Sequence, residues 1–176
     1  LWGGTAVRAV NPYPSTMPCW DEEIEAYTYD PELAREMLAE AGYADGFDME
    51  LTFSLPRPYL PYPEAVAQAV AADLQKVGIN ATAREMEWGE FSEKSDVREI
   101  MAPLSGWYDI PEMNNFMNAM LLVSDYSRGD NYPQEMFDLA GKAVGTYDMD
   151  ERCGYYRTMQ QIFHDQADRI PLAHSS

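Results

Sequence analysis

Histidine and cysteine are scarce, at two each in 176 residues. His164 and His174 have no partners at metal-ligand or triad spacing, so neither is expected to be catalytic or to bind a metal. The chain also has no Gly-rich dinucleotide fingerprint, no P-loop and no HExxH motif, and no cofactor is implied. Apolar runs are short. The longest, residues 117–123, falls far below the roughly 18 residues needed to span a membrane. Positive charge is sparse as well: 12 Lys and Arg stand against 30 Asp and Glu, a formal net charge of -18. Such a surface repels phosphate backbones and anionic lipid headgroups, which excludes nucleic acid as a partner and disfavours membranes. It steers cationic ligands only over a Debye length of about 8 Å and chiefly serves solubility, as in a secreted or salt-tolerant protein.

What remains is an ordinary globular composition, 46% hydrophobic and 24% charged, with enough chain for one domain. The chain begins at Leu1 without a basic, apolar leader, so it reads as a processed protein or an interior piece of a longer one. Cys19 and Cys153 can pair in an oxidising compartment. Spacing does not establish the geometry, and two separate thiols, one in a Pro-rich segment and one in a helix, is the expected arrangement.

Residues 1–29 show little periodicity and read as irregular, turn-rich chain. Asp30 as N-cap and Pro31 at the first helical position then predict a helix ending at Gly42, with Leu33, Met37, Leu38 and Ala41 facing inward. The alternation over residues 47–53 predicts a half-buried strand. A Pro-rich loop, a helix over about 64–77 and a strand from Ile79 to about Glu87 follow. Gly-terminated helices alternating with strands make an α/β pattern, a mixed β-sheet flanked by helices. Residues 100–107 read as a third strand that Pro103 confines to an edge or a bulge. The remainder is helical. One stripe comprises Met113, Phe116, Met117, Met120 and Leu121, a second Met136, Phe137, Ala140 and Val144, and a third Tyr156, Met159, Ile162 and Phe163. A short strand over residues 170–173 closes the chain. Most of the 11 methionines sit at helical core spacing.

Acidic groups are abundant but rarely pointed. Asp148-Met149-Asp150-Glu151 opens like a calcium loop, yet Cys153 stands where the loop glycine belongs; a helix N-terminus is the better reading. Gly106-Trp107-Tyr108-Asp109-Ile110-Pro111 lies between a strand end and a helix. In open α/β sheets ligands bind outside strand ends, and an aromatic pair beside a carboxylate can hold a cationic group. A packed Trp in a turn with Asp capping the next helix accounts for the same residues. A small secreted hydrolase using carboxylates such as Asp109 and Glu112 is the rival of another class, but nothing marks which acids would be tuned.

The run from Tyr29-Asp30-Pro31-Glu32-Leu33 to Ala41-Gly42-Tyr43, then Gly46-Phe47-Asp48-Met49-Glu50-Leu51, resembles the extracytoplasmic solute-binding proteins of family 5. These are the peptide-, nickel- and opine-binding receptors of ATP-binding-cassette importers. Residues 69–79, Glu87-Trp88, Gly106-Trp107, Asn115-Phe116 and Ile170-Pro171-Leu172 continue the likeness in order, over nearly the whole chain. The resemblance implies a periplasmic-binding-protein-like lobe, the second of two. Residues 1–29 would be an irregular segment running in from the hinge and residues 30–176 a single α/β lobe, with both chain ends on one side. It implies capture, without catalysis, of a peptide or another small amine-bearing solute, in the periplasm or at the cell envelope. The partners implied are the missing first lobe and an importer permease. By the same resemblance Asp109 would bind a peptide's α-amino group, with Trp107 as an apolar wall and Tyr108 beside it. The loop is one residue shorter than in relatives, and Glu112-Met113-Asn114-Asn115-Phe116 replaces their Asp-Pro-Asp-Asn-Phe.

Overall fold

A computed structural model of the chain describes residues 4, 6–96, 99–106, 112–117, 132–167 and 169–175. The Cα positions gather into two compact units, Thr28–Tyr108 on one hand and Trp2–Tyr27 with Asp109–Ser176 on the other.

The first unit is built on a parallel sheet. Its first element, helix α1 (Pro31–Glu40), starts where the sequence places it. The Asp30 carboxylate accepts from the backbone N–H of Glu32 and Leu33, and Gly42 takes positive φ just past the end. Strand β2 (Phe47–Ser54) pairs in parallel with β3 (Ile79–Met86) on one side and β4 (Ala102–Leu104) on the other. Helix α2 (Pro63–Gln75) is the crossover from β2 to β3. Gly46 and Gly78 open these two strands side by side. A Cβ on Gly46 would overlap the Gly78 carbonyl oxygen, and both residues have positive φ, so the close approach requires glycine. Pro103 lies on β4, which has only β2 as a neighbour among the described strands, so its missing N–H interrupts no inner ladder. Leu51, Ala71, Ile79 and Ala81 form the core between sheet and α2. The predicted inward face of α1 is corrected here. The helix buries no residue, Leu33 and Met37 are exposed, and Leu38 alone of that face packs partly against the core.

Among its described residues, the second unit is built on three helices and an antiparallel ribbon. Helices α4 (Met113–Met117), α5 (Gln134–Gly145) and α6 (Met149–Gln166) follow the expected stripes with small rotations. Ala143 is buried where Val144 was expected, and Gln160 joins Tyr156, Met159 and Phe163 inside. Met120 and Leu121 lie outside the described residues. Asp148 caps α6 through its carboxylate, which accepts from the Glu151 N–H at 2.9 Å, as a helix N-terminus rather than a cation loop. The closing strand β5 falls at Ala173–Ser175, three residues later than expected, and pairs antiparallel with β1 (Ala6–Arg8), a strand the sequence pattern does not reveal. Ala6 stands opposite Ser175, so the described ends of the chain are neighbours. Among the described residues the fold thus holds parallel and antiparallel pairings, in two separate sheets, with helices.

The leading segment lacks long elements but is packed into this core. Tyr13 and Met17 are buried with the helices, and the Tyr13 O–H, kept protonated by burial, donates to Met117 Sδ. Gln160 fastens the segment from α6. Its Oε1 accepts from Asn11 Nδ2 at 3.2 Å and from the Asp21 N–H at 3.1 Å, while Nε2 donates to the carbonyls of Cys19 and Tyr156. A second correction concerns the cysteines: Cys19 and Cys153 are joined in a disulfide across 134 residues, with Cα atoms 4.7 Å apart. Gln160, about two turns along α6 from Cys153, bonds the Cys19 carbonyl and so ties the leading segment to the helix that carries its disulfide partner.

Candidate functional site

The three parallel strands end at Ser54, Met86 and Leu104, and their carboxyl ends are where open α/β sheets place ligands. From β2 the chain enters a Pro-rich loop. Its backbone closes on itself, with Arg57 N–H donating to the Leu60 carbonyl at 3.1 Å and Leu60 N–H to the Arg57 carbonyl at 2.9 Å. The buried Leu60 side chain anchors this turn. From β3 the chain enters helix α3 (Trp88–Asp96), whose first turn is capped by the Glu87 carboxylate, accepting from the N–H of Gly89 and Glu90.

These two segments meet. The Arg57 guanidinium carbon lies 3.9 Å from the centre of the Trp88 ring. Trp88 is itself stacked on Phe91, with centroids 5.8 Å apart, and Phe91 is 1% exposed. A buried ring thus supports an aromatic face, and that face supports a cation. Stacking occupies the flat side of a guanidinium; its N–H edge has the geometry to meet a carboxylate in two parallel hydrogen bonds. The third strand end joins the same region. A Cβ on Gly106 would stand 2.8 Å from Tyr59 Cδ2, so the Tyr59 ring and the Gly106 backbone touch in a way that a larger residue would push apart.

The residues predicted from sequence, Trp107, Tyr108 and Asp109, follow Gly106 directly in the chain and lie outside the described residues. Glu112, the second acid of the hydrolase reading, is committed elsewhere. Its carboxylate accepts from the N–H groups of Asn114 and Asn115 at the start of α4 and faces Arg152 Nη2 at 3.5 Å. Arg57 was not singled out from sequence. The signal was a lone basic residue in a Pro-rich loop immediately after a strand, in a chain poor in basic residues.

Elsewhere in this unit, an open groove of about 560 Å³ lies over the polar side of β2 and β3. Several of its charges have partners: Asp48 accepts from Asn80 at 2.7 Å, Glu50 pairs with Arg84 at 3.2 Å, and Lys94 with Glu90 at 2.7 Å. This is a solvated sheet face stabilised by cross-strand pairs, reaching Met86 at the end of β3. Among the described residues no group of three or more His, Cys, Asp or Glu is placed to hold a metal ion, and no helix is long and apolar enough to cross a membrane. His164 stacks on Tyr27 at 4.3 Å and His174 meets the Asn11 carbonyl, so both serve packing.

Comparison with known proteins places this geometry in a family. Residues 1–128 match the family described as bacterial extracellular solute-binding proteins, family 5 Middle. The chain is 33% identical to heme-binding protein A of Haemophilus influenzae over 180 residues, covering 99% of this chain and 33% of that protein. It is equally 33% identical to the dipeptide-binding protein of Escherichia coli over 182 residues, covering all of this chain and 34% of that one. The crystal structure of a dipeptide binding protein from Pseudoalteromonas sp. SM9913 in complex with Met-Leu superposes with a TM-score of 0.91 at 30% identity, over 99% of this chain and 36% of the other. The chain therefore spans about a third of the length of the relatives it matches. Its fold is that of a periplasmic-binding-protein-like α/β lobe, and the chain belongs to the bacterial extracellular solute-binding proteins of family 5.

Proposed function

We propose that this chain is one lobe of a two-lobed receptor that captures a short peptide outside the cytoplasm, without catalysis, and hands it to an ATP-binding-cassette permease. The observation that carries the reading is the cluster at the carboxyl ends of the parallel strands, where Arg57 is stacked on Trp88 and Tyr59 abuts Gly106. A short peptide is a zwitterion. Arg57 supplies a planar cation for the carboxylate end. Asp109, three residues after Gly106, supplies the counter-charge for the ammonium end, with Trp107 and Tyr108 as apolar walls. Enclosure follows when a first lobe, outside this chain, closes on the site. The ligands for which the two relatives are named, dipeptide and heme, differ at equal identity, and the chemistry of the strand-end cluster favours the peptide.

The test is calorimetric titration of the full-length protein with Met-Leu and with N-acetyl-Met-Leu. Asp109→Asn is expected to weaken Met-Leu by about 1.5–3 kcal/mol, the range for a hydrogen bond to a charged group, and to leave the acetylated peptide unchanged. Equal loss for both ligands would remove Asp109 from the site. Binding of hemin in preference to any peptide would replace the ligand class, and turnover of the peptide would overturn the non-catalytic reading.

A further inference from the structure

We propose that Trp88 is a positioning residue: its ring orients the Arg57 guanidinium so that the N–H edge, rather than the flat face, is presented at the strand ends. This rests on the reading above that Arg57 takes the anionic end of the solute. Arg57 sits in a Pro-rich loop, and a long side chain there would sample many rotamers and lose that freedom on binding. Two features remove part of the cost in advance. The reciprocal backbone pair between Arg57 and Leu60 fixes where the side chain departs. The Trp88 ring, 3.9 Å from the guanidinium carbon, then offers the group an aromatic face to lie on. The ring can do this because it is itself held. Trp88 is the first residue of α3, Glu87 caps that helix, and Phe91 stacks beneath the indole from a fully buried position. Burial alone does not account for Trp88, since the residue is only partly covered and the Arg57 guanidinium lies over its ring. The chain of support runs from the core through Phe91 and Trp88 to Arg57, and each step is an aromatic or cation–π contact.

The experiment measures, in the full-length protein, the ratio of affinities for Met-Leu and for its C-terminal amide. The two ligands share every group except the carboxylate. Wild type is expected to prefer the acid, and Arg57→Gln to abolish the preference. Trp88→Leu is expected to reduce it about tenfold and Trp88→Phe, which keeps a weaker π face, by about two- to threefold. The unfolding midpoint of each variant is measured alongside, and the Phe variant keeps the test open if the Leu variant does not fold. Loss of the preference in Arg57→Gln with a wild-type ratio in both Trp88 variants would overturn the positioning role while leaving the Arg57 reading intact. Equal weakening of acid and amide in the Trp88 variants would overturn it too, because that is the mark of general packing. A wild-type ratio in Arg57→Gln would remove the Arg57 reading and the positioning role together.

Discussion

Around the parallel sheet, the core that α2 covers consists of Leu51, Ala71, Ile79 and Ala81, small aliphatic side chains between one helix and two strands. The core of α4–α6 and the leading segment is of another kind. Five methionines and five aromatic residues stand among its 13 buried members in the described chain, and it is tied by a disulfide and a buried glutamine. The sheet unit draws its order from a ladder of backbone hydrogen bonds in a fixed register. The helical unit has no such ladder to hold residues 9–27. A soft, Met-rich interior packs against many shapes, so specific directional ties select one of them. Gln160 and the Cys19–Cys153 bridge are those ties.

The sharpest way to break the comparison is Gln160→Leu. The leucine fits the volume but leaves Asn11 Nδ2 and the Asp21 N–H buried without acceptors. The expected loss is about 4 kcal/mol in urea unfolding, since each unsatisfied buried group costs about 1–3 kcal/mol. A loss below about 1 kcal/mol would mean that the apolar packing specifies this unit by itself. The disulfide comes next. Cys19→Ser with Cys153→Ser is expected to cost about 3 kcal/mol, chiefly by freeing a long loop in the unfolded chain. Faster amide exchange in the leading segment and α6 would locate the effect, and an unchanged midpoint would make the bridge incidental.

The same contrast explains what the sequence made legible. In the sheet unit every signal is local. Asp30 and Pro31 announce α1, the alternation over 47–53 announces β2, Gly42 and Gly78 mark the helix ends, and Pro103 marks an edge. In the helical unit the decisive pairs are separated by 134 and 149 residues, Cys19 with Cys153 and Asn11 with Gln160. No periodicity reports such a pairing. That is why the bridge was missed and why residues 1–29 looked featureless. Strand β1 was missed because three residues paired to a distant partner carry too little pattern. The outward face of α1 was misjudged for a related reason: a helical stripe shows which face is apolar, not how much of it is covered. At the candidate site, the strand ends were readable but the partnership of Arg57 with Trp88 was not, since it joins the loops after two different strands.

A smaller effect sharpens the sheet side of the comparison. Gly46→Ala places a Cβ against the Gly78 carbonyl at a φ of 73°, which L-residues rarely adopt. About 2 kcal/mol is expected, from the left-handed backbone and the displaced strand opening. Gly42→Ala provides the control. Its φ is also positive, but nothing lies within reach of the added methyl, so it isolates the backbone part of the cost. Equal losses at the two positions would show that the β2–β3 opening yields without strain.

The smallest expected effect concerns pH and the antiparallel ribbon. His174 lies opposite Val7 on β5, and its Nε2–H donates to the Asn11 carbonyl at 2.9 Å. Burial lowers the imidazole pKa from its ordinary value of 6.5, and the bond to the Asn11 carbonyl opposes this only in part. The unfolded chain therefore takes up a proton before the folded one does. The stabilisation is complete above about pH 6.5 and is lost as pH falls through the depressed folded value. His174→Gln keeps an N–H donor for Asn11 but does not titrate. The unfolding free energy of wild type minus that of the variant, measured from pH 7.5 to 5.5, is expected to fall with pH. The difference cancels the many carboxylates, whose titration is common to both proteins. A flat difference would mean that His174 is solvated in the ribbon, and a rise towards acid would mean that the imidazolium is the form the Asn11 carbonyl selects.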